Sequence, residues 1–544
     1  MDSLEIVLAM LLAVVASGYL VRILPFSLPL PLVQIALGAV VAALSSHGVT
    51  LDPTIFFVLF LPPLLFLDGW RIPKDGLFRD KGTILELALG LVLFTVVGAG
   101  FFIHWLIPAM PLPVAFALAA IVSPTDPVAV SSITARVPIP KRLMHILEGE
   151  SLLNDATGLV CFRFAVAAVL TGSFSLASAS LDFLWVSLAG LAIGVAVTYI
   201  TTFAQHWLVD LVGEESGSPI LISLLIPFGA YMLAERLHAS AILAAVAAGI
   251  SMSYVELSGR ALASTRVQRT AVWNTVQFAL NGTMFVLLGE QLPNMLRSAA
   301  DSVEQSGHLN RWWLLVYALA ITFGLTLLRL IWVWVSLRLT LFTARQNNQP
   351  IQKPHWRLVL ATSLAGVRGV LTLAGVMTLP LYLPDGSPFP ARDLAIFLAT
   401  AVILLSLIMA GLGLPRLLRD LHLPDEAAEQ QQEDHARHEA AIAAIHAIES
   451  AERNTLLEST DAEIYQLAAT RLIALYQRRL DGSQHNESEA QMLRKATQVE
   501  NRLRLAAMQA EREAIFTLAR ADQISDATSR RLVREIDLME SRYR

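Results

Sequence analysis

Three runs in the 544-residue sequence combine residue types that handle small cations and protons. The first is Ile121-Val122-Ser123-Pro124-Thr125-Asp126-Pro127-Val128-Ala129-Val130. Pro124 and Pro127 lack N–H donors and disfavour helix at the residue before each of them. A helix entering this run is expected to break and leave carbonyls unpaired. Those carbonyls and the Thr125 hydroxyl can bind a cation, and Asp126 can cap the resumed half-helix. A simple proline kink is the plainer alternative.

The second run is Glu148-Gly149-Glu150-Ser151-Leu152-Leu153-Asn154-Asp155-Ala156-Thr157-Gly158. Helical spacing sets Ser151 and Asp155 side by side, with Glu148 one turn earlier; Glu150 and Asn154 pair on a neighbouring stripe. One stripe thus offers a carboxylate and a hydroxyl, hard oxygen ligands that suit sodium. The other offers groups that hold a scaffold. A paired, structural charge is the better reading of Glu150 and the weaker one of Asp155. The third run, Ser363-Leu364-Ala365-Gly366-Val367-Arg368-Gly369-Val370-Leu371-Thr372-Leu373-Ala374-Gly375, sets two glycines around an arginine. Small residues admit a close neighbouring helix. Arg368 keeps its charge and needs a buried anion, for which Glu150 is the natural candidate.

The elements that carry these runs read as membrane spans. The chain is 55% apolar and only 16% charged, whereas soluble domains carry about 25% charge. A helix needs roughly 20 apolar residues to cross the hydrocarbon. Thirteen segments qualify: 4–24, 28–46, 54–70, 82–107, 112–134, 141–171, 182–204, 218–236, 239–256, 271–291, 312–340, 357–381 and 393–415. Pro62 and Pro63 are expected to interrupt the third. The first segment has no early basic residue and reads as a retained span rather than a leader. A helix from Lys141 places Asp155 about 20 Å along, near the bilayer middle. Ionisable groups inside spans are costly and usually face a cavity or a partner; here they are Asp68, Glu86, Asp126, Glu150, Asp155, Arg163, Arg329 and Arg368.

With the N-terminus outside, the inner loops hold fifteen Lys and Arg residues and the outer loops only Arg236, Arg297, Arg311 and Arg392. That bias fixes the expected orientation and puts the C-terminus in the cytoplasm. The proline-broken and glycine-broken spans are the fifth and twelfth. With the seventh taken as a linker, each is the fifth of six, which marks an inverted repeat with a site near the midplane. The domains are therefore 1–415, membrane, and 416–544, a cytoplasmic helical tail. Asp425 to Arg544 holds 22 acids and 16 bases, with apolar residues at helical spacing and Gly482 as its breaker. Amphipathic helices in a small bundle or a coiled dimer element are expected there. The net charge of −5 gives no reason to invoke nucleic acid, and the single Cys161 excludes a disulfide within the chain and reads as a small buried thiol.

These residues resemble the NhaP-type sodium/proton antiporters and the animal sodium/proton exchangers, within the monovalent cation:proton antiporters. The resemblance covers about residues 1–415. It rests on Ser-Pro-Thr-Asp-Pro-Val-Ala-Val, Glu-Ser-Leu-Leu-Asn-Asp and Gly-Val-Arg-Gly together, supported by Leu61-Pro62-Pro63-Leu64-Leu65-Phe66 before Asp68-Gly69-Trp70. It implies a thirteen-helix inverted-repeat fold with two broken crossing helices, usually a homodimer, whose core domain moves past a dimer domain. It implies that Asp155 is the carboxylate shared by cation and proton, with Ser151 and the Thr125 backbone as further metal ligands. Asn154 and Asp126 would stitch the central helices together, and Glu150 and Arg368 would form a structural ion pair. Asn-Asp rather than two aspartates implies electroneutral exchange. Some relatives place a Glu where this chain has Leu67; here the acid is Asp68, so Asp68 and Glu148 stand as additional candidates.

The expected function is secondary active antiport of a monovalent cation, sodium before potassium, against a proton. No cofactor is implied beyond the transported ions, and no Gly-rich phosphate loop or nucleophile–base pair suggests an enzyme. The alternative is a cation channel, or a sensor signalling through the tail. Two broken helices around one carboxylate favour alternating access, whereas a channel should show repeated pore-lining rings.

Overall fold

A computed structural model describes residues 2–23, 28–44, 53–72, 81–134, 141–171, 176–213, 217–257, 263–305, 312–346, 355–419, 427–456, 462–481, 487–521 and 523–540. Arg311, Gly482 and five of the fifteen inner-loop bases (Lys74, Arg79, Arg136, Arg260 and Lys353) lie outside these residues. The chain divides into two compact units, Met1–Leu421 and His422–Arg544.

The first unit follows the apolar segments in order. Its helices are α1 (Asp2–Ile23), α2 (Leu30–Leu44), α3 (Pro53–Arg71), α4 (Lys81–Leu106), α5 (Leu112–Val122), α6 (Pro127–Thr134), α7 (Lys141–Thr171) and α8 (Leu176–Val212). They continue with α9 (Ser218–Arg236), α10 (Ala241–Leu257), α11 (Ala263–Gln305), α12 (Trp312–Gln346), α13 (Trp356–Leu364), α14 (Val370–Met377) and α15 (Arg392–Leu418). Each candidate span coincides with one helix, or with one helix in two halves: α5 with α6, and α13 with α14. Among the described residues seven helices are long and apolar enough to cross a membrane, and shorter apolar helices accompany them. Of the seven, α15 is the most enclosed and α8 the most exposed. The α8 side chains Trp185, Ile200, Phe203 and Trp207 are exposed along its length, as a lipid-facing surface requires.

Pro62 and Pro63 do not interrupt α3, which runs through both. The loss of two N–H donors is tolerated because Leu61 to Leu67 are buried among neighbouring helices. The sequence did not foretell the π-helical turn of α4 at Glu86–Leu91. There Gly90 faces the Trp332 ring, whose Cη2 stands 3.1 Å from where a Cβ would be.

The tightest seam joins α2 and α11. A Cβ on Gly38 would stand 2.8 Å from the Val286 carbonyl carbon, and one on Gly289 would stand 2.7 Å from that of Ile35. The two backbones meet with no side chain between them.

The second unit consists of α16 (Ala427–Leu456), α17 (Ala462–Asp481), α18 (Glu487–Arg520) and α19 (Asp526–Glu540). Helices α16 and α17 pack as one pair, and α18 and α19 as another. In the latter Arg512 reaches Asp537 (2.8 Å) and Glu540.

Candidate functional site

The helix breaks create the site. Residues 123–126 lie unwound between α5 and α6, and residues 365–369 between α13 and α14. The two stretches touch: the Asp126 amide donates to the Val367 carbonyl at 2.7 Å. A Cβ on Gly369 would fall 2.6 and 2.7 Å from Cβ and Cγ of Asp126, so only glycine permits this approach. Helix α7 lies against the first break, where a Cβ on Gly158 would stand 2.9 Å from the Ala120 carbonyl oxygen.

Arg368, 3% exposed, serves the breaks themselves. Its Nε donates to the Val122 carbonyl at 2.9 Å and its Nη1 to the Gly366 carbonyl, while its amide donates to Ser406 Oγ at 3.1 Å. Val122 is the last residue of α5, and carbonyls at a helix end need outside donors. The expected Glu150–Arg368 pair is therefore corrected. Glu150 takes Arg329 of α12 instead, with Nη1 on Oε1 at 2.5 Å and Nη2 on Oε2 at 2.7 Å. The two side chains are 1% and 3% exposed. Arg329 Nε donates to the Thr362 carbonyl at 3.1 Å, which ties α7, α12 and α13 together. A two-pronged guanidinium–carboxylate pair is the strong form of this contact. Arg368 instead spends two of its guanidinium N–H groups on the carbonyls at the two breaks.

From Glu150 a polar chain leads back to the first break. Thr125 Oγ1 donates to Glu150 Oε1 at 3.2 Å, and Asn154 Nδ2 donates to Thr125 Oγ1 at 3.1 Å. The Asn154 Oδ1 atom is buried and accepts from no described group. On the adjacent face of α7, Asp155 and Ser151 are 7% and 6% exposed. Neither forms a hydrogen bond or ion pair among the described residues. Asp155 lies within electrostatic reach of Asp126 and of Asp68 on α3. Asp68 in turn feels Asp126, Arg71 and Glu148. The site thus offers one central carboxylate, neutral oxygens from Ser151 and Thr125, and flanking acids. Among the described residues no group of three or more His, Cys, Asp and Glu forms a metal cage.

Of the other in-span charges, Arg163 is exposed on α7 and Glu86 is partly buried in the π turn. Sequence reasoning noted Arg329 but gave it no partner. It passed over Glu290, 2% exposed on α11, and the Glu256–Arg269 pair at 2.5 Å. A charge inside an apolar run was the available signal for Arg329 and Glu290.

The family profile described as sodium/hydrogen exchanger, transmembrane, matches residues 8–420. The chain is similar to a protein of Escherichia coli (strain K12) described as an uncharacterised Na(+)/H(+) exchanger, YjcE, with 39% identity over 98% of each chain. It is 44% identical to the sodium, potassium, lithium and rubidium/H(+) antiporter of Bacillus pumilus, over 76% of this chain and 61% of that one. Among solved structures, the sodium proton antiporter MjNhaP1 from Methanocaldococcus jannaschii at pH 8 matches with a TM-score of 0.56 and 18% identity, over 77% of this chain and 99% of that one. At that identity the match speaks for the fold.

Proposed function

We propose, because the chain belongs to the sodium/hydrogen exchanger family, that Asp155 is the single seat through which it exchanges a monovalent cation for a proton. The protein is a multi-pass membrane antiporter. The observation that carries the assignment is the contrast along α7: Glu150 is fully engaged by Arg329 and Thr125, whereas Asp155, beside the same break, has no partner among the described residues. A bare carboxylate is costly to carry through low dielectric, while a proton or a cation neutralises it. Only the two loaded forms cross, which couples the fluxes.

In this reading Ser151 and the Thr125 segment complete the cation's oxygen shell. Asn154 and Asp126 hold the crossing, and Asp68 and Glu148 attract the cation to it. One carboxylate supports one cation per proton. The relative named for sodium, potassium, lithium and rubidium supports a cation range wider than sodium. The loop charges support an outer N-terminus and a cytoplasmic tail, in a bacterial inner membrane where such exchange serves pH homeostasis. The resemblance supports a homodimer embedded in lipid.

The test is reconstituted exchange. An imposed proton gradient should drive uptake of sodium or potassium against its own gradient, and Asp155→Asn should abolish this while eluting as a folded protein. Undiminished cation-driven proton flux in that variant overturns the assignment. Downhill cation flow alone favours a channel.

A further inference from the structure

A charged and aromatic clasp grips one face of α3. Trp70 Nε1 donates to Glu256 Oε2 of α10 at 2.8 Å. Arg269 of α11 donates through Nη2 to Glu256 Oε1 at 2.5 Å, and its guanidinium lies 5.6 Å from the Trp70 ring centroid. One turn back, Phe66 stacks on the fully buried Trp273 at 5.3 Å, and Trp273 Nε1 donates to Ser223 Oγ of α9 at 3.1 Å. Arg71 adds bonds to Asn274 and Gln277 of α11, at 2.5 and 2.6 Å.

The geometry of α3 gives this clasp a functional direction. Phe66 and Trp70 are four residues apart and share a face; Asp68, midway between them, points to the opposite one. Asp68 is within electrostatic reach of Asp126 and Glu148, and α3 also contacts α7 and α14. Stability alone is a weak reason for the clasp, since the Glu256 side chain is 27% exposed and ion pairs open to solvent contribute little. Arg269 is also not fully satisfied: its Nε is buried and donates to no described acceptor. What the clasp supplies is a fixed position and rotation for the last turn of α3.

We propose that Trp70, Glu256 and Arg269 are positioning residues for exchange, fixing the turn of α3 that carries Asp68. The proposal rests on Asp155 being the seat. Loosening the clasp lets Asp68 wander, so cation capture weakens while the translocation step is spared.

The experiment uses the full chain in proteoliposomes and measures sodium KM, kcat and the pH profile. Its variants are Trp70→Phe, which keeps the ion pair but loses the N–H, and Arg269→Gln with its conservative counterpart Arg269→Lys. The expected result is a KM raised up to about tenfold in Trp70→Phe and Arg269→Gln. With it come kcat within about twofold, a displaced pH profile and recovery in Arg269→Lys. Should Arg269→Gln fail to fold, Trp70→Phe alone carries the test. Unchanged KM and pH profile in Trp70→Phe, or a fall in kcat alone, overturns the proposal, and the site reading survives if Asp155→Asn is inactive. Exchange retained by Asp155→Asn removes both.

Discussion

Removing Arg329 should strand a buried charge, and removing Arg368 should not. In the first case Glu150, 1% exposed, loses both short bonds to the guanidinium and keeps only the Thr125 hydroxyl at 3.2 Å. Breaking a buried pair from one side costs about 3–5 kcal/mol, because a charge is left without compensation. That is a large fraction of the roughly 5–15 kcal/mol that holds an ordinary domain together. Removing Arg368 instead takes donors from the Val122 and Gly366 carbonyls and leaves no buried charge unpaired. Each orphaned neutral acceptor costs about 1–3 kcal/mol, and removing a second residue cannot repair that loss. The assay is thermal aggregation of detergent-purified protein followed by size-exclusion fluorescence, on Arg329→Gln, Arg368→Gln, Glu150→Gln and the double variant Glu150→Gln/Arg329→Gln. The double variant should recover most of the Arg329→Gln loss, since no charge remains. A double variant no better than Arg329→Gln would refute the assignment of Arg329 as the partner of Glu150.

Other outcomes follow from local geometry. Gly369→Ala drives a Cβ to 2.6 Å from the Asp126 Cβ; overpacking of this kind costs about 1–3 kcal/mol, and exchange rate should fall much further than in Gly82→Ala, where the space is open. Asn154→Asp places a second carboxylate against Thr125 and should lower folded yield; exchange that becomes sensitive to membrane voltage in the surviving protein would show it carrying charge. In the loop between α14 and α15, the Ser387 hydroxyl and amide hold the Asp385 carboxyl below its usual range. A depressed value means the turn is supported at neutral pH and loses that support only as pH falls through the depressed value. Ser387→Ala should raise the midpoint, read by carboxyl NMR. In the tail, Asp537→Ala removes only the exposed half of the Arg512 contacts and leaves the Glu540 contact in place, so the helical signal should barely change.

Much of this architecture was legible because apolar runs and prolines act locally. Segments 112–134 and 357–381 were expected to break, and they do so between Val122 and Pro127 and between Leu364 and Val370. Helical spacing alone put Ser151 beside Asp155, and Glu150 on a different stripe. What the sequence withheld was pairing across space. Glu150 had two arginines to choose from, and the choice depends on which guanidinium the unwound carbonyls had already claimed. Pro62 and Pro63 misled for a related reason. A proline removes a local bond, but whether a helix survives depends on the neighbours around it. The Trp70–Glu256–Arg269 clasp was invisible because Trp70 and Glu256, 186 residues apart, and Arg269 beyond them meet only after α3, α10 and α11 have packed.

The hydrogen bond from the Asp126 amide to the Val367 carbonyl belongs wholly to the main chain. Short of a proline at 126 or a side chain at Gly369, replacement of residues leaves this rivet between distant parts of the polypeptide in place. A crossing fastened in that manner tolerates wide divergence in amino-acid identity. The chemical way to cut it is to exchange the nitrogen itself for an ester oxygen at residue 126.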